Sequence, residues 1–226
     1  MEKLSYDIRK YDFCSLVKNV LNCHVLDEAH NLLPEDIKYD QVFDIDNDNK
    51  TWFHKQFYDK LNNGWPEFID LYDSFIRDVI TEHIGERLVY QAKPTFRIHL
   101  PENVAVGAYK DHKSGFHKDS SPGYDHPRDE ISIFLPLTTA CGTNTVWTES
   151  EEDKGDFSPM EADYGEYYIW KGSHLSHGNK INTTNKSRVS FDFRIIPINA
   201  YNPEKYKVSR DTKKRFIIGD YYKFRF

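Results

Sequence analysis

Cysteine is scarce. Cys14, Cys23 and Cys141 are the three in 226 residues, and no two form a CxxC pair. An odd, sparse set excludes a disulfide framework and fits reduced thiols in the cytosol. Long apolar runs are also missing. No segment approaches 18 consecutive apolar residues, and the opening MEKLSYDIRKYDF contains no apolar stretch. Neither a membrane span nor a secretory leader is therefore expected, and the chain reads as soluble and cytoplasmic, with no membrane partner. A positive surplus is lacking too, since 30 Lys and Arg face 36 Asp and Glu, for a net charge of -6. That balance disfavours a nucleic-acid partner, and short basic runs such as DTKKRF (211–216) read as solvated surface. No repeat, low-complexity tract or Pro-, Gly- or Ser-rich linker divides the chain. A single domain over 1–226 is expected, long enough to bury a core without disulfide or metal staples.

Aromatic residues, by contrast, are plentiful. Tyr and Phe number 15 each, which suits a strand-rich protein with a large core. The mean hydropathy of -0.73 still allows a globular domain with long solvated loops.

Periodicity changes along the chain. In WPEFIDLYDSFIRDVITEHI (65–84), Phe68, Leu71, Phe75 and Val79 recur at helical spacing, with Ile69, Ile76 and Ile80 widening the stripe. Pro66 suits the first turn of this helix and Gly85 its end. TWFHKQFYDKLN (51–62) predicts a shorter helix before it. Residues 1–50 give no firm assignment beyond a loop at IDNDNK. After Tyr90 the period becomes two, and strands are predicted at 95–101, 130–137, 144–149, 165–170 and 187–196. Turn-forming stretches such as SSPGYDHPR, TACG and EDKGDFSP separate them. Helices followed by strands predict an α+β, mainly β, fold. Its N-terminal helical region (1–87) would buttress a sandwich or barrel such as a jelly roll (88–200), with 201–226 packing on the core. The apolar, aromatic RFIIGDYYKFRF at the end predicts a last strand, or a surface covered in a homodimer.

Of the ten histidines, one opens an H-x-D/E triplet, His117-Lys118-Asp119 in SGFHKDSS. On extended backbone, positions i and i+2 face the same side. The two side chains can therefore converge as two legs of a facial 2-His-1-carboxylate triad, which leaves metal positions open. A polar surface turn is the bland alternative. The third leg has two candidates, His174 and His177 in WKGSHLSHGNK. Farther on, SRVSFDFR alternates. Arg188, Ser190, Asp192 and Arg194 fall on one face, and Val189, Phe191, Phe193 and Ile195 on the other. An Arg and a Ser two apart can clamp a carboxylate through a guanidinium fork and a hydroxyl. A mixed-charge strand edge is the bland reading there.

Taken in order, HxD, His177 58 positions later, Arg188 eleven beyond that and then Ser190 resemble the HxD…H…RxS motif. That motif belongs to the Fe(II)/2-oxoglutarate-dependent oxygenase superfamily, and the resemblance spans about residues 94–200. Within it, DEISIFLPLTTACGTNTVWTES and HGNKINTTNKSRVSFDFRIIP look like the subgroup related to streptomycin-biosynthesis oxygenases and, more distantly, phytanoyl-CoA dioxygenases. The resemblance implies a double-stranded β-helix with Fe(II) on His117, Asp119 and His177. It also implies 2-oxoglutarate held by Arg188 and Ser190, O2 as co-reactant, succinate and CO2 as products, and a small polar substrate that ends up hydroxylated. It favours His177 over His174, which lies three positions too far from Arg188. Asn144, Trp147 and Glu149 match positions near cosubstrate or substrate in the subgroup, although Trp147 serves equally as a core aromatic.

Arg97 and His99 alternate in FRIHL and could face a cavity or solvent, and His126 and Arg128 could cover the site mouth. His112 reads as a loop residue. Two other functions compete. A cupin-type metal isomerase would favour HxH and need no RxS, and a non-catalytic jelly-roll binding module would have no reason to keep all three ligands.

Overall fold

The computed structural model describes residues 1–33, 51–103 and 115–225. His112 and the loop expected at 45–50 fall outside them. The chain is α+β, mostly sheet, with its helices on one side of the larger sheet.

Residues 1–33, unassigned from sequence, hold strand β1 (Glu2–Ser5), helix α1 (Phe13–Leu21) and a 3₁₀ stretch, Leu26–Leu32. Asp12 caps α1 by accepting the Ser15 N–H at 2.9 Å, and Asn22 ends it in the left-handed conformation (φ 50°). Helix α2 (Trp52–Asn62) begins behind Thr51, whose hydroxyl accepts the His54 N–H. Helix α3 (Pro66–Phe75) has Pro66 in its first turn. The helical pattern continues to Ile84, but the backbone widens into a π-helical stretch, Ile76–Thr81, before the last turn, Glu82–Ile84. Gly85 (φ 74°) stops it.

The strands are β2 (Leu88–Gln91), β3 (Thr95–His99), β4 (Ile131–Pro136), β5 (Val146–Thr148), β6 (Ser158–Pro159), β7 (Glu166–Trp170), β8 (His177–Asn179), β9 (Arg188–Pro197) and β10 (Tyr222–Lys223). The large antiparallel sheet runs β1-β7-β4-β9-β2-β10, and the smaller runs β6-β5-β8. Strand β9 is the hub. Its first half pairs with β3 (Phe96 opposite Phe191), its second half with β2, and its other edge with β4. The strand predicted at the C-terminus is shorter than expected, because Tyr222 and Lys223 alone pair with β2.

Alternation along β9 sorts its side chains. Val189, Phe191, Phe193 and Ile195 face the helices and join one core with Phe13, Phe57, Phe68 and Phe75. Phe57 stacks on Phe96 at 4.7 Å and meets Phe68 edge-on at 5.3 Å. Such pairs add about 0.5–1.5 kcal/mol each beyond area burial. The opposite face, with Arg188, Ser190, Asp192 and Arg194, looks toward the smaller sheet. It is no solvent-exposed edge, since Arg188 is 1% and Arg194 7% exposed. Polar and charged groups of β9 thus face the space between the sheets, beside a smaller apolar cluster of Phe134, Met160, Trp170 and Leu175, while the main apolar core lies on the other face, under the helices.

Candidate metal centre

The segment carrying His117 runs antiparallel to the start of β8. His117 N–H donates to the His177 carbonyl at 2.8 Å, and His177 N–H donates back to the His117 carbonyl at 2.9 Å. Two residues on, Asp119 N–H donates to the Gly172 carbonyl at 2.9 Å. This pairing draws the three side chains together. Asp119 Oδ1 lies 3.6 Å from His177 Nε2 and 3.8 Å from His117 Nε2. One donor atom from each residue falls within 4.8 Å of the others. The 3.6 and 3.8 Å edges suit donors about 2.0–2.2 Å from one cation.

Hydrogen bonds fix which atoms face inward. His117 Nδ1 lies 2.7 Å from the Gly115 carbonyl, and His177 Nδ1 lies 2.9 Å from the Leu175 carbonyl. A carbonyl can only accept, so both Nδ1 atoms carry the proton and both Nε2 atoms present lone pairs. Burial, with His177 nearby, lowers the His117 pKa to about 4, so the ring is neutral at pH 7. The second oxygen of Asp119, Oδ2, accepts from Arg194 Nη2 at 2.8 Å and Nε at 3.3 Å. Burial pushes the Asp119 carboxyl up. The Arg194 guanidinium and His177 more than offset that, and hold it well below the usual carboxylate range. Asp119 is thus kept ionised with one oxygen free.

Two glycines keep the ligands close. A Cβ on Gly178 would sit 3.0 Å from the Phe116 backbone, between the two histidine-bearing strands. One on Gly172 would sit 2.7 Å from Ser132 Oγ and 3.1 Å from Asp119 Oδ2. Trp170 stands perpendicular to the His177 ring at 4.6 Å, and Tyr124 lies 4.5 Å from the His117 ring.

The ligand atoms separate two spaces. Inside is a chamber of about 50 Å³ between the sheets, walled by Ser132, Trp170 and Asp192 on one side and Val146 and Asn179 on the other. Outside is a cleft of about 560 Å³. His117, Asp119, Arg97 and Arg194 border both.

The remaining candidates are scattered around this centre. Arg188 lies buried on β9, where Nε donates to the Asn144 carbonyl at 2.7 Å and Nη1 to Ser190 Oγ at 2.5 Å. It has no carboxylate within ion-pair distance among the described residues, and burial lowers its pKa to about 10, still cationic at pH 7. His99 is buried beside it, with Nδ1 3.0 Å from the same Asn144 carbonyl. The Asn144 side chain is engaged in its own turn, accepting the Cys141 N–H at 2.8 Å. Trp147 donates to the Gly142 carbonyl at 2.9 Å and lies under the Lys180 ammonium. Arg97 pairs with Asp192 at 3.0 Å on the chamber wall.

His126 borders the outer cleft and meets Glu130 at 2.8 Å. Arg128 is a surface residue paired with Glu152 and His174, so His174 stands apart from the His117–Asp119–His177 cluster. Glu149 is spent on backbone, accepting from the N–H groups of Ser176, Asp153 and Gly155 at 2.7, 3.1 and 3.1 Å. It fastens its loop next to His177. Arg194, Gly172 and Gly178 were not anticipated as site residues. For Arg194 the signal was present, because the β9 alternation sets it on the inward face.

No family model matches the chain. The streptomycin biosynthesis protein StrG of Streptomyces griseus is 31% identical over 220 residues, covering 97% of this chain and 96% of its own. Among solved structures, CytC3 with Fe(II) and alpha-ketoglutarate aligns with a TM-score of 0.45 at 15% identity, over 100% of this chain and 92% of that one. AviO1 from Streptomyces viridochromogenes Tue57 gives 0.44 at 13%, over 88% and 89%. A Pseudomonas putida prolyl-4-hydroxylase gives 0.40 at 11%, over 87% and 91%.

Proposed function

We propose that this chain, which belongs to the family of the streptomycin biosynthesis protein StrG, is a non-haem Fe(II)/2-oxoglutarate-dependent oxygenase that hydroxylates a small polar molecule. One observation carries the reading. His117 Nε2, Asp119 Oδ1 and His177 Nε2 converge, with both imidazole tautomers set by backbone carbonyls and the spare carboxylate oxygen occupied by Arg194. Two imidazoles with Nε2 turned inward and one single-oxygen carboxylate suit a divalent iron with three positions left open.

Each residue then has a task. His117, Asp119 and His177 would hold the metal. Arg194 keeps Asp119 ionised and limits it to one metal bond. Arg188 and Ser190 would take the distal carboxylate of 2-oxoglutarate, since a buried guanidinium whose partners are a carbonyl and a hydroxyl is suited to an anion. Neither Arg188 nor Ser190 lines the inner chamber as it stands, so the chamber would have to extend toward them for the cosubstrate to enter. Iron and 2-oxoglutarate, when bound, supply the oxidising chemistry, consuming O2 and releasing succinate and CO2. Trp170 and Tyr124 wall the ligand rings and limit water on both sides. The two facing sheets are read as a double-stranded β-helix, inside a single domain of 1–226 whose helices buttress the large sheet.

The test is anaerobic addition of Fe(II) and 2-oxoglutarate to metal-free protein, watching for the visible charge-transfer band of the chelated cosubstrate. The band is expected in the natural chain and should vanish in Asp119→Ala. Iron binding with no band would favour a metal isomerase, and no iron binding would refute a metal centre.

A further inference from the structure

The outer cleft holds a cation that iron and cosubstrate leave unused. Lys214 lies in the C-terminal stretch, which folds back over the cleft through a turn closed by Ser209 N–H donating to the Lys214 carbonyl at 3.0 Å. Ser209 Oγ ties that turn to the Gly123 carbonyl at 2.9 Å. The half-buried ammonium stands 5.3 Å from the Tyr221 ring centre. It has no hydrogen-bond or ion-pair partner among the described residues.

The other charges bordering the cleft are engaged. Arg194 serves Asp119, Arg97 serves Asp192 at 3.0 Å, and Lys93 donates to the Asn62 amide oxygen at 2.6 Å. Asp220 is paired with Arg215 at 2.6 Å. Four cations and two carboxylates therefore border one cleft in a chain of net charge -6. Burial, together with Arg194 and Arg97, lowers the Lys214 pKa to about 8. Half-buried ammonium groups are normally paired, and an unpaired one facing a cleft is a seat for an anion.

We propose that the cleft binds a substrate bearing an anionic group, a phosphate monoester or a carboxylate, with Lys214 as its anchor and its remainder lying over His117 and Asp119. Tyr58, Gln91 and Thr95 make the same wall polar, with Gln91 Nε2 donating to Thr95 Oγ1 at 3.1 Å and its Oε1 accepting from Tyr221 at 2.9 Å, so a polar substrate body suits it. The word substrate rests on the oxygenase reading, whereas the anion seat does not.

Calorimetric titration of the full chain with inorganic phosphate and with acetate tests this. It is done on metal-free protein and on protein loaded anaerobically with Fe(II) and 2-oxoglutarate. At least one anion should bind in both forms, with affinity falling as pH rises through about 8, where the amine loses its proton. Lys214→Gln should weaken binding at least ten-fold, Lys214→Arg should restore it, and the charge-transfer band should be unchanged by either. Whichever anion binds more tightly identifies the group. Undiminished binding in Lys214→Gln, or no binding of either anion to the natural chain, overturns the proposal. Loss of the band in Lys214→Gln also overturns it, because the amine would then serve the cosubstrate. Anion binding through Lys214 in a protein that forms no band would refute the oxygenase reading and leave the anion seat standing.

Discussion

Replacing Arg188 with methionine separates a binding role from a structural one, because the two predict opposite balances. The guanidinium is 1% exposed, donates to the Asn144 carbonyl and the Ser190 hydroxyl, and has no carboxylate beside it among the described residues. In the ligand-free protein it is a buried charge held by neutral groups, which costs free energy. Methionine keeps most of the volume and removes that cost. The neutral His99 ring has one N–H to place between the Asn144 carbonyl at 3.0 Å and the Asn103 carbonyl at 2.8 Å, so the Ser190 hydroxyl and, in one tautomer, the Asn144 carbonyl are left short of a partner. The net change in stability should stay within about 1–2 kcal/mol, the scale of one lost hydrogen bond partly offset. For a chain of this size that is roughly 2–8 °C in Tm.

Cosubstrate binding should suffer far more. Truncating one partner of a buried, hydrogen-bonded charge pair costs about 2–5 kcal/mol, which is roughly 30- to 4,000-fold in Kd. Anaerobic titration of 2-oxoglutarate into Fe(II)-loaded protein, followed by the charge-transfer band, gives the Kd. Thermal melts of the metal-free protein give the stability. A Kd within three-fold of the natural chain would refute the carboxylate role. A melt lowered by about 15 °C or more, the range expected for breaking a buried ion pair, would mark Arg188 as a structural pillar instead.

Three further outcomes are expected. Gly178→Ala should push the Phe116 backbone away from β8 and spread His117 from His177, weakening iron binding at least ten-fold in a metal titration; unchanged affinity would show that the strands tolerate the methyl. His174→Ala should bind iron stoichiometrically and His177→Ala should not, and the reverse pattern would overturn the ligand assignment. His54 and His99 are buried, which lowers both pKa values to about 3, against about 6.5 in an unfolded chain. The unfolded state therefore binds more protons between these values, so stability is full above about pH 6.5 and falls on acidification by about 1.4 kcal/mol per pH unit per histidine. Because the unfolded rings are already half-protonated at about pH 6.5, these two should lower stability by roughly 2 kcal/mol between denaturant melts of metal-free protein at pH 6.5 and 5.5, and equal midpoints would mean that these rings are not held neutral.

What could be seen in the sequence was whatever repeats locally. The alternation of RVSFDFRI shows in eight letters, and β9 obeys it, with phenylalanines under the helices and polar groups between the sheets. The triplet His117-Lys118-Asp119 is legible for the same reason, since two-residue spacing on extended backbone is a local fact. Features that depend on distant partners were not legible. Strand β1 is four residues long and is defined by pairing with β7, more than 160 positions away. The C-terminal stretch looks like a strand by composition, yet two residues of it pair with β2, and a turn between Ile217 and Tyr222 interrupts it. Glu149 resembles a ligand-facing acid until its three backbone donors are seen, two of them in a loop that it closes itself. Arg194 is the sharpest instance. Alternation puts it on the inward face, but nothing near it in the chain announces Asp119, 75 positions earlier. That pairing decides how many bonds the carboxylate can give a metal. A ligand's identity is thus written in a local motif, while its coordination mode is set by a residue that only the folded chain brings to it.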